Sequence, residues 1–111
     1  MQAVLKCPKI NVIRPQGNFN ASNALEFERD LTTALTQEGV SILLVDLAAV
    51  ESLDSAGLMA LVSTLKLAQN LGRSLKLCSV SPAIKIIFEL TQLDEVFEFT
   101  GNAELVAVNQ S

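Results

Sequence analysis

The stretch that most restricts how this chain can fold is "SILLVDL", Ser41–Leu47. Its apolar residues are consecutive rather than alternating, and branched side chains dominate, as in a strand covered on both faces. Such a strand needs layers packed against it. The preceding "NFNASNALEFERDLTTALTQEG" repeats Phe27, Leu31, Ala34 and Leu35 at helical spacing, with Asn20 or Ser22 to cap the start and Gly39 to stop the end. After the strand, "VESLDSAGLMAL" opens an amphipathic helix that reaches Leu71 and is closed by Gly72.

The alternation continues to the end of the chain. "RSLKLCSV" reads as a strand, and "SPAIKIIFELTQL" as a helix capped by Ser81, with Pro82 in a first turn where its missing N–H costs nothing. Ile84, Ile87, Phe88 and Thr91 mark that helix's core side. "EVFEFT" alternates as a strand with Phe97 and Phe99 on one face, and "GNAELVAVNQ" reads as a short C-terminal helix. At the other end, "AVLKCPKINVIRPQG" is one or two short strands ending in a turn. Repeated strand–helix units require crossovers, so the expected fold is α/β with a largely parallel sheet. With 111 residues and no linker or repeat, residues 1–111 are expected to form a single domain.

Composition narrows the function. The net charge is −4, from eight basic and twelve acidic residues, and the bases (Lys6, Lys9, Arg14, Arg29, Lys66, Arg73, Lys76, Lys85) are scattered. Without a basic patch, Trp or Tyr, no nucleic-acid partner is expected. The apolar runs fall far short of the roughly 20 residues a membrane span needs, and no secretion signal is read, so the expected location is the cytoplasm. Cys7 and Cys78 form no Cys-x-x-Cys pair and the chain has no His, so neither a metal nor another cofactor is expected. Both cysteines are expected to be reduced, Cys78 as a small core residue.

Functional sites in parallel sheets gather at the carboxyl ends of the strands, where "ESLDSAGL" lies. An enzyme is not expected there. Ser55 has no histidine to act as base, and the residue three further on is Leu58 rather than Lys. Asp54 suits a helix cap, contributing about 0.5–2 kcal/mol, which would leave Ser55 an ordinary first-turn residue. A helix start also favours an anion such as phosphate by about 0.3–1 kcal/mol. Ala56 and Gly57 are small enough to let a partner's cleft reach Ser55. At about 3.6 residues per turn, Leu58, Leu61, Val62, Leu65 and Ala68 face inward. Ser55, Met59, Ser63 and Lys66 share another stripe with Asn70, and Met59 is a pliable side chain of the kind found on binding surfaces.

In order and spacing, "SILLVDL", "ESLDSAGL" and "CSVSPAIKIIFELTQLDEVF" resemble the anti-sigma-factor antagonists built on the STAS domain, and "GNFNASNALEFERDLTTAL" fits their first helix region. The likeness covers roughly Ile10 to Thr100. It implies a mixed, mostly parallel sheet of about four or five strands with helices largely on one face. It implies phosphorylation at Ser55 by an anti-sigma factor that is itself a serine kinase, and resetting by a metal-dependent serine phosphatase. The unphosphorylated form would bind the kinase and free the sigma factor. The partner surface implied comprises Asn20, Asp54, Ser55, Ala56, Gly57, Met59, Ser63 and Lys66. The chain departs from the family at Asn20, where an aspartate is usual, and at Thr91-Gln92-Leu93, where Ser-Gly-Leu is common. The alternative is a STAS-type accessory subunit of a lipid-transport ABC ATPase, which would need no phosphate.

Overall fold

The computed structural model describes residues 9–101. Along the chain the elements are β1 (Lys9–Ile13), β2 (Gly17–Phe19), α1 (Ala24–Leu35), β3 (Val40–Asp46), β4 (Val50–Leu53) and α2 (Ser55–Leu71). Then follow β5 (Ser74–Cys78), α3 (Pro82–Leu90), a short 3-10 turn at Leu93–Glu95, and β6 (Glu98–Phe99). The four-stranded sheet has the order β1-β3-β5-β6, and β2 and β4 form a separate two-stranded ribbon. Every pairing among the described residues is parallel. The expected α/β class therefore holds.

β3 is central because its residues Ile42 to Asp46 are all buried, as an apolar run without alternation requires. Leu43 lies opposite Asn11 and Leu75, and Val45 opposite Ile13 and Leu77. On this face the sheet meets Phe27, Leu31 and Leu35 of α1, Leu58, Leu61 and Leu65 of α2, and Ile84 and Phe88 of α3. The described helices thus share one face. Burying each large side chain contributes about 1.5–3 kcal/mol. The other face carries a small cluster of Leu44, Cys78 and Ile10.

Helix ends follow local chemistry. Ser81 Oγ accepts the Ile84 N–H at 3.3 Å, with Pro82 in the first turn. Gly72, at φ +70°, ends α2 in the left-handed conformation that glycine adopts without strain, and the Arg73 N–H donates to Ala68 O at 2.8 Å. Arg73 also donates through Nη1 to Leu35 O and Gln37 O, placing a cation on the carboxyl end of α1.

Several sequence expectations are corrected. α1 ends at Leu35 with Thr36 as its C-cap, so Gly39 lies in the turn before β3 and does not stop the helix. Thr91 is exposed because α3 has already ended at Leu90. In "EVFEFT" only Glu98 and Phe99 are strand, since the 3-10 turn takes Glu95. Phe97 and Phe99 nevertheless converge, each edge-to-face on Phe88 at 5.5 and 5.4 Å. Cys7, the "AVLKC" segment and all but the first residue of the expected C-terminal helix lie outside the described residues.

Cys78 is fully buried, and burial, followed by the negative charge of Asp46, pushes its thiol above the ordinary value. It is expected to resist iodoacetamide at neutral pH until the protein unfolds, read by mass mapping of the Cys78 peptide. Above about pH 9, the ordinary thiol value, the unfolded chain loses a proton that the folded chain keeps, so this group lowers stability as pH rises.

Candidate functional site

The site is assembled by the β2–β4 ribbon. The turn after β3 is shaped by Asp46, whose Oδ1 accepts the Ala48 N–H at 3.0 Å and whose Oδ2 accepts from Arg14 Nε at 2.9 Å. That turn delivers β4, which pairs with β2 so that Phe19 lies opposite Leu53. The Asp54 N–H donates to Phe19 O at 3.0 Å, extending the pairing to the start of α2. Sequence reading took "VESLDSAGLMAL" as the opening of the helix and assigned no strand to Val50–Leu53.

Asp54 is the cap it was expected to be. Its Oδ1 accepts N–H bonds from Ala56 at 2.9 Å and Gly57 at 3.2 Å. Asp54→Ala is expected to lower stability by about 1 kcal/mol, read as a lower denaturation midpoint with an unchanged slope. Ser55 follows as the first helical residue and is exposed. Among the described residues, none of the side-chain hydrogen bonds engages its hydroxyl.

Gly57 is buried, and its smallness serves packing rather than a partner's access. A Cβ there would lie 2.7 Å from Leu53 Cδ1, 2.9 Å from Phe19 Cβ and 3.1 Å from Phe19 O. Only a glycine lets the first turn of α2 sit this close to β2. Phe19 also packs on Phe27, at 4.2 Å between ring centroids.

The remaining predicted residues divide by place. Ser55, Met59 and Lys66 are exposed on one stripe of α2, while Ser63 and Ala56 are half-buried. Asn20 does not cap α1, and neither does Ser22, because the N-cap is Asn23. Asn20 Oδ1 instead accepts the Ser22 N–H at 2.9 Å, and the Asn20 N–H donates to Asn23 Oδ1 at 2.9 Å. Asn23 Nδ2 donates to Asn18 O at 2.8 Å, and Ser52 Oγ to Asn18 Oδ1 at 2.6 Å. An uncharged network therefore ties the start of α1 to β4 beside Ser55. Asn18, Asn23 and Ser52 escaped sequence reading, and the one signal for the two asparagines was the density of Asn and Ser in "GNFNASN".

Negative charge accompanies the serine: Glu51 and Asp54 are exposed beside it. No group of three His, Cys, Asp or Glu among the described residues could hold a metal ion. No helix among them is long and apolar enough to cross a membrane.

A parallel α/β layer with helices on one face, and an exposed serine at a capped helix start beyond the strand ends, is the class of domain these observations define. The family model of the STAS domain matches residues 3–105, and the chain belongs to that family. A protein of Bordetella bronchiseptica described as a candidate anti-sigma factor antagonist, BtrV, is 27% identical over 92 residues, 83% of this chain and 78% of that protein. A candidate anti-sigma factor antagonist of Thermotoga maritima superposes with a TM-score of 0.80 at 23% identity, covering 91% of this chain and 86% of that one. The Bacillus cell fate determinant SpoIIAA in its phosphorylated form gives 0.68 at 18% identity, covering 97% and 96%.

Proposed function

We propose that this protein is a phosphorylation-controlled anti-sigma-factor antagonist. Its unphosphorylated form binds and sequesters an anti-sigma factor that is also a serine kinase. Phosphorylation of Ser55 releases that partner, and a metal-dependent serine phosphatase reverses the modification. The observation that carries this reading is the exposed Ser55 hydroxyl at the start of α2, on a turn whose backbone is already held by Asp54 and by contact of Gly57 with Phe19. A kinase acting there meets a rigid, accessible acceptor. The relatives named as anti-sigma factor antagonists, and the phosphorylated form among the solved neighbours, support the same reading.

The switch is electrostatic. Phosphate adds about −1.5 to −2 charges beside Asp54 and Glu51, both exposed. An unpaired charge enclosed in an interface costs several kcal/mol, and each 1.4 kcal/mol is about tenfold in affinity. No conformational change is needed.

The test is intact-mass and peptide mass spectrometry of the protein from its own cells, growing and stressed. Phosphate at Ser55 in one state and not the other is the expected result. Unmodified Ser55 in every state, with an ABC ATPase co-purifying, would overturn it in favour of a transport-subunit role.

A further inference from the structure

The helix α3 is apolar on both its sides. At about 100° per residue, Ile84 and Phe88 face the core, and Ala83, Ile86 and Leu90 gather on the opposite side. Ile86 is 51% exposed and Leu90 79%. Of the exposed residues of α3 (Pro82, Ala83, Ile86, Glu89 and Leu90) only Glu89 is polar. On α1 the balance is reversed: Leu25, Glu26, Arg29, Asp30 and Thr33 are exposed, and only Leu25 is apolar. One exposed leucine is ordinary, but a helix apolar all round is one that neighbours cover all round. Among the described residues, the core covers only the inner side of α3.

The outer stripe is graded along the helix. Ala83 at the amino end is small, Ile86 is larger, and Leu90 at the carboxyl end is the most exposed. Turned end for end, such a stripe fits itself. With a two-fold axis level with Ile87, Leu90 of one copy falls between Ala83 and Ile86 of the other, in the gap left where Ile84 turns inward.

Charge obeys the same symmetry. Lys85 and Glu89 lie one turn apart on one flank of α3, and among the described residues neither enters an ion pair. Reversal sets Lys85 of each copy level with Glu89 of the other. Lys85 Nζ is held on that flank, 4.8 Å from the centroid of the Phe99 ring.

We propose that the outer stripe of α3 is a dimer contact, in which two copies of this chain pack their α3 helices antiparallel. The contact is independent of Ser55, which lies on α2. One nine-residue helix is about 13 Å long, so the buried area falls below the roughly 1,200 Å² of a standard interface. The dimer is therefore a weak one, with a dissociation constant of about 10–100 µM.

The experiment is sedimentation equilibrium of the full chain from about 1 µM to about 1 mM, with a reductant present to keep cysteines from cross-linking the copies. The wild type is expected to dimerise, and Leu90→Lys and Ile86→Lys each to weaken the dimer at least about tenfold. Leu25→Lys, at an apolar residue 71% exposed on α1, is expected to dimerise as the wild type does. Glu89→Lys is expected to weaken the dimer about three- to tenfold, more at low salt. Lys85→Glu combined with Glu89→Lys is expected to restore it to within about twofold of the wild type. Melting curves accompany each variant, and where Leu90→Lys melts early, Leu90→Ser and the charge exchange decide.

A wild type that stays monomeric throughout overturns the dimer. If its Leu90→Lys variant also melts early, another part of the same chain covers the stripe. A dimer that Leu90→Lys and Ile86→Lys leave within about twofold lies on another surface and overturns the α3 contact. An equal loss from Leu25→Lys overturns it too, as does a charge exchange that dimerises no better than Glu89→Lys alone.

Discussion

Ser55→Asp is expected to weaken binding to the kinase by about a hundredfold or more while moving the melting temperature by no more than about 2 °C. The two effects separate because they arise in different places. In the free protein the new carboxylate sits in the first turn of α2, where the helix dipole favours it and water solvates it. In the complex it joins exposed Asp54 and Glu51, and an enclosed charge without a partner costs several kcal/mol, or two tenfold steps and more. Ser55→Ala removes the acceptor without adding charge, so it should bind as the wild type does and resist phosphorylation. Calorimetry beside a thermal melt measures both. An Asp variant that binds as tightly as the wild type would show that the switch is not electrostatic.

The second large effect is expected beneath the serine. Gly57→Ala places a methyl group 2.7 Å from Leu53 Cδ1 and 2.9 Å from Phe19 Cβ. Relieving such overlap costs about 1–3 kcal/mol, offset in part by the roughly 0.5–1 kcal/mol that alanine gains over glycine within a helix. Gly57→Val adds two more carbons and a residue less suited to a helix, so it should be worse. For a domain of this size each kcal/mol lowers the melting temperature by about 4–8 °C. Denaturant unfolding of the two variants gives the order. An alanine variant as stable as the wild type would mean that the ribbon gives way at no cost.

The layered fold was readable because its signals are local and strong. The unalternating "ILLV" of β3 permits only a covered strand, and Ser81-Pro82, Asp54 and Gly72 each mark a helix end by their own chemistry. β4 was not readable: its pattern is buried, exposed, exposed, buried, and it exists because β2 lies alongside. The cap of α1 was ambiguous for a related reason. Asn18, Asn20 and Asn23 can all close turns, and their mutual hydrogen bonds determine where the helix starts. Thr91 was placed inward by continuing a period past the last helical residue. At the site, Asp54 was legible as the helix cap and Ser55 as the first residue of α2. The purpose of Gly57 was not, since a close approach to Phe19 is a fact of tertiary structure. Leu25 sits off the period of Phe27 and Leu31, and the structure leaves it exposed.

The pairing of β2 with β4 joins residues far apart in sequence, as the Ser52–Asn18 bond across 34 positions illustrates. Contacts of that span carry a loop-closure entropy that local contacts do not, so the turn at Ser55 is a product of tertiary structure rather than a linear epitope. A peptide covering 50–71 has Asp54 and Ser55 but lacks the strand that holds them. An incompletely synthesised or misfolded copy is in the same position. In the proposed cycle the ribbon thereby makes completion of the fold a condition for charging Ser55, and damaged copies would stay outside it.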